Sequence, residues 1–466
     1  MMDTATAARV VGGRVVGANV TFSRVTTDTR ALARGDLFVA LKGERFDGHD
    51  FVATALQRGA AAALVAADRA AALTGDLVAV PDTLAALGTL AAHWRARFSL
   101  PLAVVVGSNG KTTVKEMIAA IFRAHAGASG VLATPGNLNN AIGLPLTLLG
   151  LDASHRLAVV EIGMNHRGET RELAAIARPT ITVVNNAQRE HQEFMTSVAE
   201  VAAEHADAVR ALPRGGVAVI NADDVYAAGW RAAALEAGAT VLSFAQDVRA
   251  DVTGRGTLAI DGSDVEIATP AGSARVRLAV PGRHMVHNAL AAATAALAAG
   301  VPLAAIVDGL EQFRPVAGRL AARAATSGAA VIDDTYNANP DSVRAAIDVL
   351  ARADGRRWLV LGDMGEVGAL GPSVHREIGE YARRAGIERL YATGELARAA
   401  VVAFGERAQH VPDVAALAAT VAADARAGVT ILVKGSRFMR MERVVVALTG
   451  DGVTPRGGPS DGGGTH

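Results

Sequence analysis

Short apolar runs recur along this chain, and most end in glycine or polar residues before a helical pattern begins. Leu37 to Leu41, Leu102 to Val106, Leu157 to Val160, Ile181 to Val184 and Val217 to Asn221 are such runs, as are Ala329 to Ile332, Trp358 to Gly362, Arg389 to Tyr391 and Thr430 to Val433. Continuous apolar strands alternating with helices predict parallel sheets covered on both faces, an α/β fold. Helices are expected over VKEMIAAIF after position 113, over the Ala-rich Pro281 to Gly300, and from near Pro340, Ser373, Glu395, Asp413 and Arg437. Residues 240 to 280 instead alternate β-prone and polar stretches with Gly turns, the pattern of hairpins decorating a sheet. The pattern divides the chain into a small N-terminal α/β unit (1–98), a central α/β unit (99–312) and a C-terminal doubly wound, Rossmann-like unit (313–452). Residues 453–466, rich in Gly, Pro and Ser, are expected to be a disordered tail. Hinges are expected near residues 98 and 312, with polar strand ends meeting around one ligand while the cores stay separate.

The polar residues at the strand ends carry the candidate chemistry. After Leu102 to Val106 comes Gly107-Ser108-Asn109-Gly110-Lys111-Thr112-Thr113, then a helix. A strand that breaks into glycines and reopens as a helix aims backbone N–H groups and a helix N-terminus at one spot, where an anion fits. The common phosphate-loop pattern would need glycine at position 105, where Val105 stands, so this loop is a short variant. Lys111 supplies a point charge for nucleotide phosphates and Thr112 a hydroxyl for Mg2+. Asn137, Asn139 and Asn140 crowd a Gly/Pro-flanked loop; such amides either cap turns or hold a ligand. Glu161 ends one neighbouring strand, and NNAQREHQEF, with His191, follows another; both belong at the carboxyl edge of an α/β sheet, where ligands bind. His284 and Asn288 open the Ala-rich helix, and DDTYNANPDS, GDMGEVG and KGSRFMRME follow strands of the C-terminal unit. In the N-terminal unit, Asp28, Thr29 and Arg30 and the loop from Lys42 to His49 suit either a polar ligand or solvent.

Composition removes several alternatives. Lys plus Arg and Asp plus Glu both number 46, giving a formal net charge of zero, and no basic tract stands out, so nucleic acid is not an expected partner. The absence of cysteine excludes thiolate catalysis, disulfides and Cys-ligated zinc, and fits a reducing compartment. The N-terminus lacks a basic, then apolar, leader pattern, and apolar windows elsewhere have polar interruptions, so a cytoplasmic protein without membrane insertion is expected.

In order and spacing, TDTR, GSNGKTT, GNLNNAIGLPLTLL, EIGMNHRGE, DDTYNANPDS, GDMGEVG and KGSR resemble the Mur ligases, over nearly the whole chain. The resemblance implies a monomeric three-domain enzyme that uses ATP and Mg2+ to join D-alanyl-D-alanine to UDP-N-acetylmuramoyl-tripeptide through an acyl phosphate. A sister ligase of the family, one acting like a folylpolyglutamate synthase, or a nucleotide switch without ligase chemistry are the alternatives. Carried over, residues Gly107 to Thr113 bind the phosphates and Thr112, Glu161 and His191 surround Mg2+, with Lys111, Glu161, His191 and Arg319 catalytic. Asn288 lies on the adenine side, Arg319 contacts phosphate and Asp334 meets the nucleotide. Asn137, Asn139 and Asn140 grip the UDP-sugar substrate, with Thr29 and Arg30 on its uridine side, and Asn337, Asn339, Lys434 and Arg437 line the closed cleft. Two departures stand out. Met285 follows His284 where the family often has Asn, and the only lysines are Lys42, Lys111, Lys115 and Lys434, so the lysine that several members carbamylate for a second Mg2+ has no counterpart. Glu200 or, first, Glu204 could supply a carboxylate there; otherwise both are helix-face residues, and Glu161 and His191 with water satisfy the ion.

Overall fold

A computed structural model describes residues 1–190 and 192–450; His191 and the expected tail 453–466 lie outside the described residues. Three parallel-rich sheets follow one another along the chain. The N-terminal sheet runs Arg14–Val16, Leu77–Val80, Ala62–Ala66, Asp36–Val39, Arg24–Thr26, parallel except for its first pair. The central sheet has nine strands, and its middle is set by the fully buried Leu102–Val106 between Leu157–Glu161 and Ile181–Val184. Parallel register pairs Glu161 with Val105 and Val184 with Val106, so these three strands end level and their following loops converge. That is the switch point where open α/β sheets bind ligands. The 240–280 region extends one edge: Thr240–Ala245 pairs in parallel, then Val252–Ala259, Gly262–Thr269 and Gly272–Leu278 form antiparallel hairpins.

The C-terminal sheet runs Ala321–Ala324, Ala330–Asp334, Val429–Lys434, Arg356–Leu361, Arg389–Thr393, Ala408–Val411, parallel after its first pair. Register sets Lys434 beside both Asp334 and Leu361, which gathers three strand ends at one edge. The helix expected from Arg437 begins later. Arg437–Met439 forms a single 3-10 turn, Arg440 takes φ +52°, and the helix runs Glu442–Thr449; a left-handed residue cannot continue a helix.

The cores of the central and C-terminal units are not separate as expected. Val286 and Leu290 of the central helix Arg283–Ala298 belong to the same buried apolar cluster as Val343, Ile347 and Val349 of the C-terminal helix Pro340–Leu350. Gly282, at φ +102°, marks the approach, since a Cβ there would lie 2.7 Å from Val349 Cγ2. The N-terminal helix Thr83–Arg95 likewise joins the central core, with Leu87 and Leu90 clustered with Leu144 and Leu148.

Candidate active site

One cavity of about 1680 Å³ opens where the central strand ends face the C-terminal ones. Its floor is the phosphate loop. The helix Lys111–Ala126 starts at Gly110, at φ +83° with no side-chain cap, so its first backbone N–H groups lack intrahelical partners at the cavity wall. Gly110 has no room for a side chain, because a Cβ would meet Asn288 Oδ1 at 2.5 Å and Asn185 Nδ2 at 2.8 Å. Lys111 Nζ donates to the carbonyls of Gly107 (2.5 Å) and Ser108 (3.3 Å) and lies 3.4 Å from Glu190 Oε2. The lysine is thus folded against its own loop by acceptors that an incoming phosphate can replace.

Beside it, Glu161 is buried and organised from three directions. It accepts hydrogen bonds from Thr112 Oγ1 (2.9 Å) and Asn139 Nδ2 (2.8 Å), and its backbone N–H donates to Thr134 Oγ1 at 3.0 Å. Arg319, from the start of the C-terminal unit, donates from Nη2 to Thr112 Oγ1 at 3.0 Å and stacks its guanidinium 4.1 Å from the Tyr336 ring centre. Its buried Nε–H has no hydrogen-bond partner among the described residues, an unusual state for a buried charged donor and one that an anion in the cavity would relieve. The hydroxyl of Thr112 and the carboxylate of Glu161 are hard oxygen donors of the kind Mg2+ takes.

Other predicted residues divide into those that line the cavity and those that do not. Ser108, Asn109, Thr113, Asn137, Asn139, Asn140, Asn288, Asp334, Asn337, Asn339 and Lys434 line it. Several also have structural tasks: Asn140 Oδ1 caps the helix Gly143–Leu149 through Gly143 N–H at 2.9 Å, and Asn288 Oδ1 accepts from Asn185 Nδ2 at 2.9 Å behind the phosphate loop. Lys434 Nζ donates to Asp334 Oδ2 (2.5 Å) and to the Asn337 carbonyl (2.9 Å), a buried pair that fixes the turn carrying Tyr336. Desolvation pushes the imidazole of His284 down to about 4, so it meets the cavity as a neutral ring. Met285 is buried, with its sulfur 3.7 Å from Asn288 Nδ2.

Thr29, Arg30 and Arg437 lie outside the cavity wall: Arg30 pairs with Asp28, holding that carboxyl below the usual carboxylate range, and Arg437 pairs with Glu442. In the Lys42 to His49 loop, Asp47 Oδ1 lies 2.5 Å from His49 Nδ1 and Asp47 Oδ2 accepts from Arg69 at 2.9 Å, so these polar groups lock the loop onto its own unit.

Sequence reasoning passed over the residues before His191. Glu190 faces Lys111 across the cavity edge, and Arg189 reaches Asp341 and Glu377 of the C-terminal unit, which holds the Glu377 carboxyl below its ordinary value. Their charges in a strand-end loop were the available signal. Their partners, up to 188 residues away, were not.

Family models match three successive stretches: the Mur ligase family catalytic domain over 21–95, the Mur ligase middle domain over 105–296 and the Mur ligase glutamate ligase domain over 318–437. Over 450 residues the chain is 40% identical to the UDP-N-acetylmuramoyl-tripeptide:D-alanyl-D-alanine ligase of Escherichia coli (strain K12), covering 95% of this chain and 97% of that one. The chain belongs to the Mur ligase family. The ligase of the same name from Haemophilus influenzae is 36% identical over 96% of this chain and 98% of its own. Among solved Mur ligases, MurF from Acinetobacter baumannii superposes with a TM-score of 0.89 at 33% identity, covering 97% and 99% of the two chains. MurF from Thermotoga maritima in complex with ADP gives 0.77 at 25% identity, over 91% and 96%. The α/β architecture in three parts is therefore that of the family.

Neither glutamate considered as a stand-in for the Mur ligase lysine reaches the cavity. Glu200 accepts from Thr196 N–H at 2.9 Å and pairs with Arg167, while Glu204 Oε1 accepts from Gly168 N–H at 2.8 Å, capping the helix Glu169–Ala177. Both lie on the helix Val198–Arg210, and their carboxylates contact Thr196, Arg167 and Gly168.

Proposed function

We propose that this Mur ligase joins D-alanyl-D-alanine to UDP-N-acetylmuramoyl-tripeptide, an ATP-dependent amide ligation that yields the UDP-N-acetylmuramoyl-pentapeptide precursor of peptidoglycan. What carries the reading is a single cavity in which Lys111, Thr112 and Glu161 of the central unit face Arg319 and Lys434 of the C-terminal unit, in a chain alike from end to end to ligases of that name.

A carboxylate is a poor electrophile at neutral pH, so the tripeptide must first be activated. In the first step a carboxylate oxygen of the tripeptide attacks the γ-phosphorus of ATP and the bond to the β-phosphate oxygen breaks, leaving ADP and an acyl phosphate. In the second, the amine of the dipeptide attacks the acyl carbon, phosphate departs with the C–O electron pair, and the nitrogen loses a proton. Phosphoryl transfer needs chiefly positioning and charge neutralisation. Lys111 leaves the Gly107 and Ser108 carbonyls for the β/γ-phosphates, and Arg319 offers its unpaired Nε–H to the transferring group. Thr112 and Glu161 would hold Mg2+, with His191 as the further proposed ligand; the bound ion would neutralise phosphate charge. Asn139 keeps Glu161 aimed at Thr112, so its role in this reading is to position the carboxylate as well as to face the UDP-sugar.

The described lining comes from one chain, so a monomer is the proposed working form, and nucleotide-linked substrates favour a cytoplasmic location. No described helix is long and apolar enough to cross a membrane. The test is phosphate release from ATP with UDP-N-acetylmuramoyl-tripeptide, with and without D-alanyl-D-alanine. Turnover should need all three, and hydroxylamine should trap the activated carboxyl when the dipeptide is omitted. Release that ignores the carboxylate substrate would overturn the reading.

A further inference from the structure

The loop from Asn185 to Glu190 has two working sides. One grips the phosphate loop: the Asn186 carbonyl accepts from Ser108 N–H (3.1 Å), Asn186 Oδ1 accepts from Asn109 N–H (2.8 Å), and Gln188 Oε1 accepts from Asn109 Nδ2 (2.6 Å). The other side is Arg189. Its backbone N–H donates to Asp341 Oδ2 (3.0 Å), Nε and Nη2 donate to Asp341 Oδ1 (3.1 and 2.6 Å), and Nη1 and Nη2 donate to the two oxygens of Glu377 (2.8 and 3.1 Å). Asp341 lies in the first turn of the helix Pro340–Leu350 and Glu377 on the helix Gly371–Arg384, both of the C-terminal unit. Arg344 adds a second cation on Glu377 at 3.2 Å, so two guanidinium groups and two carboxylates form a neutral set. Next to it, Asn109 of the phosphate loop exchanges amide hydrogen bonds with Asn339 (2.9 and 3.3 Å), the residue that caps that same helix.

Among the described residues, the side-chain hydrogen bonds of Arg189 all go to the C-terminal unit. A guanidinium is the side chain suited to this, since its fixed fork satisfies two carboxylates at once where an ammonium is a point charge. With the side chains of Arg189, Asp341 and Glu377 only 24%, 23% and 32% exposed, solvent screens the set less than it would a surface pair.

We propose that Arg189 is a positioning residue for phosphoryl transfer: it clasps the C-terminal unit to the loop that shapes the phosphate site and thereby brings Arg319 onto Thr112. The proposal rests on the ligase reading for its kinetic arm only. Arg189→Met keeps the apolar stem and removes the fork, leaving the Asn186 and Gln188 contacts in place. The expected result is a kcat lower by about tenfold or more, equilibrium affinity of the full-length protein for a fluorescent ATP analogue within about threefold of wild type, and a larger ligand-free radius of gyration by small-angle scattering. Arg189→Lys should recover only part of the loss, because it cannot serve both carboxylates. Combining Arg189→Met with Glu377→Gln should cost less than the product of the single effects, as expected for partners in one network. An unchanged kcat and radius would overturn the clasp, as would nucleotide affinity falling in step with kcat at constant radius, which would make Arg189 a local support of the phosphate loop. Scattering is read without substrate, so it still decides the clasp if the assigned substrates are wrong, while a wild-type protein inert toward those substrates would sink the ligase reading alone.

Discussion

Lys111 rests on the carbonyls of its own loop, at Gly107 and Ser108, acceptors it can exchange for an anion without moving the backbone that carries it. Its place after a strand and a glycine turn marks it as a candidate phosphate contact; that it rests on the Gly107 and Ser108 carbonyls and faces Glu190 could not be read, because Glu190 arrives from 79 residues away. Lys111→Ala should lower kcat by at least about 100-fold, since one lost contact to developing charge costs about 3 kcal/mol, while circular dichroism shows the fold retained; near-normal turnover would displace Lys111 from the phosphate site. The lysine inventory gives a second expectation. Carbamylation at the metal needs a free amine there, yet Lys115 is fully buried against Glu116 and the Thr134 and Gly136 carbonyls, Lys434 is buried on Asp334, Lys111 belongs to the phosphate loop and exposed Lys42 lies outside the cavity. Turnover should therefore be the same in CO2-stripped and bicarbonate-containing buffer. A rate that rises with bicarbonate would mean that one of these ion pairs opens.

At the scale of elements the strands that carry motifs were legible, because buried parallel strands are continuous apolar runs and each motif sat at a strand end; their order in the sheets, and strands such as Ala62–Ala66, Leu77–Val80 and Ala408–Val411, were not. Caps were harder to read. The three asparagines could serve turns or ligands, and Asn140 turns out to cap a helix while Asn139 holds Glu161. The helix Glu169–Ala177 begins at Gly168, which has no capping side chain, and borrows Glu204 from the next helix. Glu204→Ala should lower stability by about 1 kcal/mol through the orphaned Gly168 N–H and leave the Mg2+ requirement unchanged. Thermal unfolding and an Mg2+ titration of the rate check the two halves, and a raised requirement would return Glu204 to the metal. Buried His375 plays a comparable part for GDMGEVG: Nε2 accepts from Met364 N–H (2.9 Å) and Nδ1 donates to the Gly371 carbonyl (2.7 Å), which demands a neutral ring. Burial lowers its folded pKa below the unfolded value of about 6.5. Its contribution is thus complete above that pH and is lost as pH falls toward the lowered value. Denaturant midpoints measured from pH 7 to 5 should fall, and fall less in His375→Gln; parallel curves would assign the acid sensitivity elsewhere.

For the whole molecule, the motif order revealed three units but not how they touch. The helix Arg283–Ala298 is apolar around most of its circumference, the mark of a helix covered on every side, and one of its neighbours proves to be the C-terminal unit. Docking therefore combines an apolar contact at Gly282 and Val349 with polar contacts between Arg189 and the carboxylates of Asp341 and Glu377, between Thr112 and Arg319 and between Asn109 and Asn339. The last two of these pairs lie on the cavity that would hold the phosphates, so nucleotide and docking share groups: Thr112 and Arg319 can bridge to an anion as well as to each other. A ligand touching both units adds free energy only to the docked state and must shift the population toward it. Scattering on the full-length protein should show a radius of gyration that falls when a non-hydrolysable ATP analogue and the UDP-tripeptide are added together, and falls less with either alone. The ligand-bound curve should match the docked arrangement. If the ligand-free protein already gives that curve and ligands leave it unchanged, the apolar contact and the protein's own polar contacts suffice to hold the units, and the hinge expected near residue 312 is not used in the catalytic cycle.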